Sequence, residues 1–84
     1  MPVLSRFYGI IIRMYFQQAE HNPPHIHALY GDDMAAISIQ TLEVMEGKLP
    51  AKALMLVQEW ITLHRDELLS IWETQEFKQL PPLE

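Results

Sequence analysis

The chain contains no cysteine. That single absence removes disulfide frameworks, thiolate metal ligands and thiol nucleophiles together, and it agrees with a reducing compartment. Long apolar runs are also missing. Ile10–Ile12 is cut by Arg13, and no stretch approaches the ~20 apolar residues that a membrane-spanning helix needs. The opening MPVLSRFYG lacks a basic segment followed by an apolar core, so no secretory signal is expected there and a cytoplasmic location is. Basic residues are few: six Lys and Arg stand against eleven Asp and Glu, for a formal net charge of −5. Such a surface repels a phosphate backbone, so the chain is not expected to bind double-stranded DNA on its own. A local basic patch still leaves RNA as a partner, and the acidic balance favours a basic protein partner. No Gly-rich phosphate loop, G-x-S-x-G elbow or zinc-protease helix motif occurs, which leaves nucleophile-based hydrolysis without support.

What is present suits one folded domain. Eighty-four residues at 49% hydrophobic and 20% charged can bury one core and not two. No repeat, linker or low-complexity block divides them, so residues 1–84 are expected to form a single domain. Its first half alternates in hydrophobicity and its second half has helical period. Val3–Tyr8 reads as a short strand, Gly9 as a bend, and Ile10–Phe16 as a stronger strand rich in β-branched and aromatic residues. Pro23 and Pro24 cannot donate to a ladder and break the pairing. His25–Tyr30 is the next strand, Gly31-Asp32-Asp33 a turn, Met34–Gln40 a further strand, and Glu43–Glu46 a short last one closed by Gly47.

From Pro50 the spacing changes. Proline is well placed at a helix start, where its missing N–H costs nothing. Leu54, Val57, Ile61, His64, Leu68 and Trp72 recur at intervals of three and four and make one stripe, on one helix or on two joined near His64–Asp66. Trp60 and Trp72 read as anchors of a core or an interface. Leu80-Pro81-Pro82 ends regular structure, and Leu80–Glu84 is expected to be a mobile tail. The expected fold class is therefore α+β: a small antiparallel sheet of four to five strands, one face covered by a C-terminal helical segment.

Strand parity sorts the side chains, because neighbours along a strand point to opposite faces. A two-residue turn at Asp32-Asp33 sets Ala28 against Ile37 and Ile26 against Ile39, with His27 opposite Ser38 and His25 opposite Gln40. Setting Met14 against Ile26 brings Arg13 near His27 and Tyr15 near His25. Apolar then meets apolar, and the other face carries Arg13, Tyr15, His25, His27, Ser38 and Gln40.

The chemistry is concentrated in Glu20-His21-Asn22-Pro23-Pro24-His25-Ile26-His27. Three readings stay open. One is metal binding: His25 and His27 offer two imidazoles to one ion, and His21 or Glu20 a third ligand, which suits zinc, nickel or iron. The second is general acid–base catalysis without a metal, since imidazole exchanges protons near neutrality; Arg13 would stabilise phosphate charge and Tyr15 would stack on a base or donate a proton. On the third reading the histidines are ordinary residues of a solvated or partner-covered sheet face, and the chain is an interaction module.

The blocks Ser5-Arg6-Phe7-Tyr8-Gly9-Ile10, Ile12-Arg13-Met14-Tyr15, His21 through Gly31, Ile37-Ser38-Ile39, Glu46-Gly47-Lys48-Leu49-Pro50, Glu59-Trp60-Ile61 and His64 through Leu69 together resemble a known family. It is the bacterial domain-of-unknown-function family numbered four thousand one hundred and sixty, and the similarity runs from Pro2 to about Trp72. The resemblance implies a small bacterial protein paired with a second small protein, in the manner of a type II toxin–antitoxin locus. It implies that this chain is the toxin-like half and that its partner is a small cognate antitoxin-like protein. Glu20 departs from the pattern, standing where an aspartate often precedes the first histidine of the block. If the chain is an enzyme, the activity expected of its histidine face is metal-independent cleavage of RNA or another phosphodiester. His25 and His27 are the expected acid–base pair, with His21 assisting, Arg13 on phosphate and Tyr15 placing the substrate.

Overall fold

A computed structural model describes residues 2–15 and 23–84. Five strands run in chain order: β1 (Val3–Phe7), β2 (Ile10–Arg13), β3 (His25–Tyr30), β4 (Asp33–Ser38) and β5 (Val44–Gly47). They form one antiparallel sheet of order β1-β2-β3-β4-β5, each strand pairing with its neighbour in sequence. One helix follows, α1 (Ala51–Thr74). The α+β arrangement expected from the residue pattern is what the chain adopts.

The strands end where local chemistry ends them. β4 stops at Ser38 rather than Gln40 because the Ser38 hydroxyl accepts hydrogen bonds from the backbone N–H groups of Gln40 and Thr41, at 3.2 and 3.1 Å. That side-chain turn takes the backbone out of the ladder. β2 pairs only as far as Arg13; Met14 and Tyr15 continue outside the strand, and the expected end at Phe16 lies outside the described residues.

The β3–β4 turn corrects the expected register. The two loop residues are Gly31 and Asp32, not Asp32 and Asp33, because Tyr30 pairs with Asp33. Gly31 sits at φ +59°, the positive value that a II′-type hairpin requires at its first central position and that glycine adopts without steric cost. Pairing therefore slides by two residues: His25 faces Ser38, Ile26 faces Ile37, His27 faces Ala36 and Ala28 faces Ala35. Gln40 is exposed beyond the strand and faces no histidine. Because the side-chain period is two, a slip of two leaves every residue on its expected face. Between β2 and β3, Arg13 faces His27 and Ile12 faces Ala28, the register set by placing Met14 against Ile26.

The apolar face and the helix make the core. Leu4, Ile10, Ile12, Met14, Ile26, Ile37 and Ile39 are buried with Val57, Trp60, Ile61 and Leu68. The helix is two segments meeting at His64, whose φ −120° and ψ 21° are not helical. Just past that kink, Arg65 Nε donates to the Ile39 carbonyl at 3.0 Å. The buried set differs from the expected stripe: Trp60 and Ile71 join it, whereas Leu54 and Trp72 are only partly buried.

Leu80–Glu84 has no regular structure, yet it is packed. Leu80 N–H donates to the Leu4 carbonyl at 2.8 Å, along the outer edge of β1. Trp60 Nε1 donates to the Pro81 carbonyl at 2.8 Å, and Leu80 and Leu83 are buried. A segment expected to be mobile thus supplies a buried tryptophan with its acceptor.

Candidate functional site

The strand pairings align one side chain from each strand in a row: Val3, Arg13, His27, Ala36 and Glu46. Residues directly opposed across antiparallel strands share a face, so this row runs over the face away from the apolar core. Arg13 is its cation and Glu46 its anion. Ala36, between His27 and Glu46, is the smallest side chain of the row. His25 lies two residues before His27 on the same face, opposite Ser38. The Ser38 hydroxyl is already engaged in ending β4.

Rings link these residues. Tyr15 stacks on His27 with centroids 4.3 Å apart and planes 23° from parallel. His25 meets His27 edge to face at 5.2 Å. On its other side His25 contacts Trp72 of α1, at 5.0 Å and a 55° tilt. All four rings are half-buried. Tyr15 was expected beside His25, its direct partner if β2 continued; in the structure its ring leans over His27 instead, a diagonal contact within reach of aromatic side chains.

The two imidazoles differ. The backbone carbonyl of Pro23 can only accept, so its 2.9 Å contact with His25 Nδ1 makes Nδ1 the donor and leaves Nε2 for exchange with another molecule. Pro23 thereby acts on the site as well as stopping the ladder. His27 has its pKa lowered below the ordinary 6.5, first by burial and then by the neighbouring His25, with Glu46 pulling the other way. Burial and His25 both disfavour the charged imidazolium and favour the neutral ring. Its Nδ1 is buried with no hydrogen-bond partner among the described residues, and so is the Nε of Arg13 on the facing strand. Unpaired buried polar atoms are costly and uncommon, and here two lie on directly paired residues.

Of the sequence-expected site residues, Arg13, Tyr15, His25 and His27 are together. His21 and Glu20 lie outside the described residues. Among the described residues no group of three or more His, Cys, Asp or Glu side chains is placed to hold a metal ion. His64 stands apart, its ring 5.1 Å from Trp60 and its Nδ1 3.2 Å from Glu67 Oε1. Trp72 is the member that strand parity could not find. It comes from α1, and its position on the periodic stripe reads as an ordinary core anchor.

No helix among the described residues is long and apolar enough to cross a membrane. Neither the curated proteins nor the solved structures include a match to this chain. A family model, Domain of unknown function (DUF4160), matches residues 9–73. That span takes in all of β2 through β5, both described histidines of the sheet face, and α1 almost to its end. The chain belongs to the DUF4160 family.

Proposed function

We propose that this chain is the toxin-like member of a bacterial two-protein module, and that it cleaves RNA by metal-independent acid–base catalysis. The observation that carries the reading is the pairing of a partly buried His27, whose neutral ring is favoured, with a His25 whose Nδ1 is committed to the Pro23 carbonyl. In this reading His27 takes the proton from a ribose 2′-hydroxyl. The 2′ oxygen bonds to phosphorus, and the bond from phosphorus to the 5′ oxygen breaks. Protonated His25 delivers its Nε2 proton to that leaving oxygen, and the product ends in a 2′,3′-cyclic phosphate. Arg13, opposite His27, neutralises charge on the phosphoryl oxygens. Tyr15 fixes the His27 ring by stacking on it. His21 is assigned an assisting part from the sequence alone.

A second reading has its own support. β5 is an open edge strand with all four residues exposed, and its own Val44 and Met45, with Met34 of β4, present apolar surface there. Such an edge suits a partner strand, so a non-catalytic interaction module is the alternative. A histidine-ligated metal site needs a third ligand that the described residues do not supply.

The deciding experiment is induced expression of wild type and the His25→Ala/His27→Ala double variant in a bacterial host. Circular dichroism confirms that both fold, and total RNA is followed on gels. Growth arrest with RNA decay from wild type alone is the expected result. Equal growth and intact RNA in both strains would overturn the catalytic reading in favour of the interaction module.

A further inference from the structure

The four contiguous rings also say which form of RNA the site can take, an inference that rests on the ribonuclease reading. Duplex binders gain their affinity by neutralising many phosphates, each contributing to a steep fall of binding with salt. This face is not built for that. It holds two cations, Arg13 in its central row and the exposed Arg6 opposite Ile11 on the edge strand, against the anion Glu46, on a chain of net charge −5. What it offers instead is aromatic surface at both ends of the histidine pair. Tyr15 gives one face to His27 and Trp72 meets His25 at a tilt, and both rings are half-buried rather than sealed.

We infer that Trp72 and Tyr15 are stacking platforms for unpaired bases on either side of the histidine pair, so that the substrate is single-stranded RNA held by stacking more than by charge. Base-on-aromatic stacking tolerates any sequence, because every base has a π face, and a base within a duplex cannot reach such a platform. Arg13 then contacts one phosphate between two stacked bases. Trp72 acquires a role in substrate binding that its place on the helical stripe does not announce.

The test uses the full-length wild-type protein, which keeps the Tyr15–His27 stack, and a fluorescein-labelled 2′-O-methyl RNA about twelve nucleotides long, whose missing 2′-hydroxyl lets binding be read without cleavage. Anisotropy is measured with the strand alone and annealed to its complement. The single strand is expected to bind at least ten-fold more tightly. With about one phosphate neutralised, its affinity falls only roughly three-fold between about 50 and 200 mM salt. Trp72→Leu is expected to weaken binding by roughly five-fold or more and Trp72→Phe by less. Should Trp72→Leu fail to fold by circular dichroism, Tyr15→Leu tests the other platform with the same expectation. Equal affinity for duplex, a salt dependence of several phosphates, unchanged binding in the ring variants, or no binding to either RNA would each overturn the inference. The ribonuclease reading fails separately, if wild-type protein binds the single strand in this manner and leaves the same strand with free 2′-hydroxyls uncut.

Discussion

Tyr15 and His27 lie ring over ring, 4.3 Å between centroids, although Tyr15 is beyond the end of β2 and His27 is in the middle of β3. The stack helps to bury the imidazole, and burial is the first cause of its lowered pKa. A change to one ring is therefore readable as a titration of the other.

Replacing Tyr15 with Leu removes the stacked ring and lets water reach His27. The His27 pKa should rise toward the ordinary 6.5, because the charged imidazolium loses less hydration on folding. Two-dimensional NMR of the histidine ring protons across pH 5 to 8 measures this (roughly the range over which histidine titrates). An unchanged His27 titration would mean that the stack contributes nothing to its burial.

Stability should carry the same signature. A histidine whose folded pKa lies below its unfolded value binds fewer protons folded than unfolded between the two, so stability rises with pH across that window. For His27 the window opens just below 6.5 and extends downward. Wild-type protein should lose stability as pH falls through it, and His27→Gln should lose less. Urea midpoints at several pH values give both slopes; parallel curves would refute the assignment to His27.

Deleting Leu80–Glu84 exposes the apolar surface that Leu80 and Leu83 cover and leaves Trp60 Nε1 without its protein acceptor. Burying a leucine side chain contributes about 1.5–3 kcal/mol, so a loss of about 3 kcal/mol or more is expected. In a domain this small that lowers Tm by more than about 10 °C. A truncated chain that melts with wild type would restore the expectation of a mobile tail.

Gly47 closes β5 at φ +79°, and a Cβ there would collide with the Met34 carbonyl oxygen. That carbonyl is held in place as the acceptor for Lys48 N–H at 3.0 Å. Gly47→Ala therefore meets backbone rather than a side chain able to turn aside, on top of an unfavourable φ. A loss of about 2 kcal/mol or more is expected, read from the urea midpoint. A change below about 0.5 kcal/mol, the range of unremarkable surface substitutions, would show that the edge strand yields easily.

Strand identity and facing were legible in the residues because parity is robust. Ile26 and Ala28 alternate with His25 and His27, and any even slip of the register keeps the two sets apart. Arg13, Tyr15, His25 and His27 therefore share one face in either register, with the β3–β4 pairing as it lies or two residues away. The register itself depends on the turn. Gly31 and Asp32 compete with Asp32 and Asp33 for the loop positions, and what decides is which backbone must adopt a positive φ.

Local residue patterns set the α+β class, the division of the sheet into an apolar and a polar face, and the gathering of two histidines and an arginine on the latter. These follow from periodicity and branching, which act over a few residues. Tertiary structure alone decided the rest. The non-helical residue at His64 divides α1, and Trp72 on the second segment lies against His25, forty-seven residues earlier in the chain. The tail reaches back to Leu4 and Trp60 in the same way. Periodicity along one segment carries no information about which distant ring it will meet; that depends on how both segments pack over the shared core.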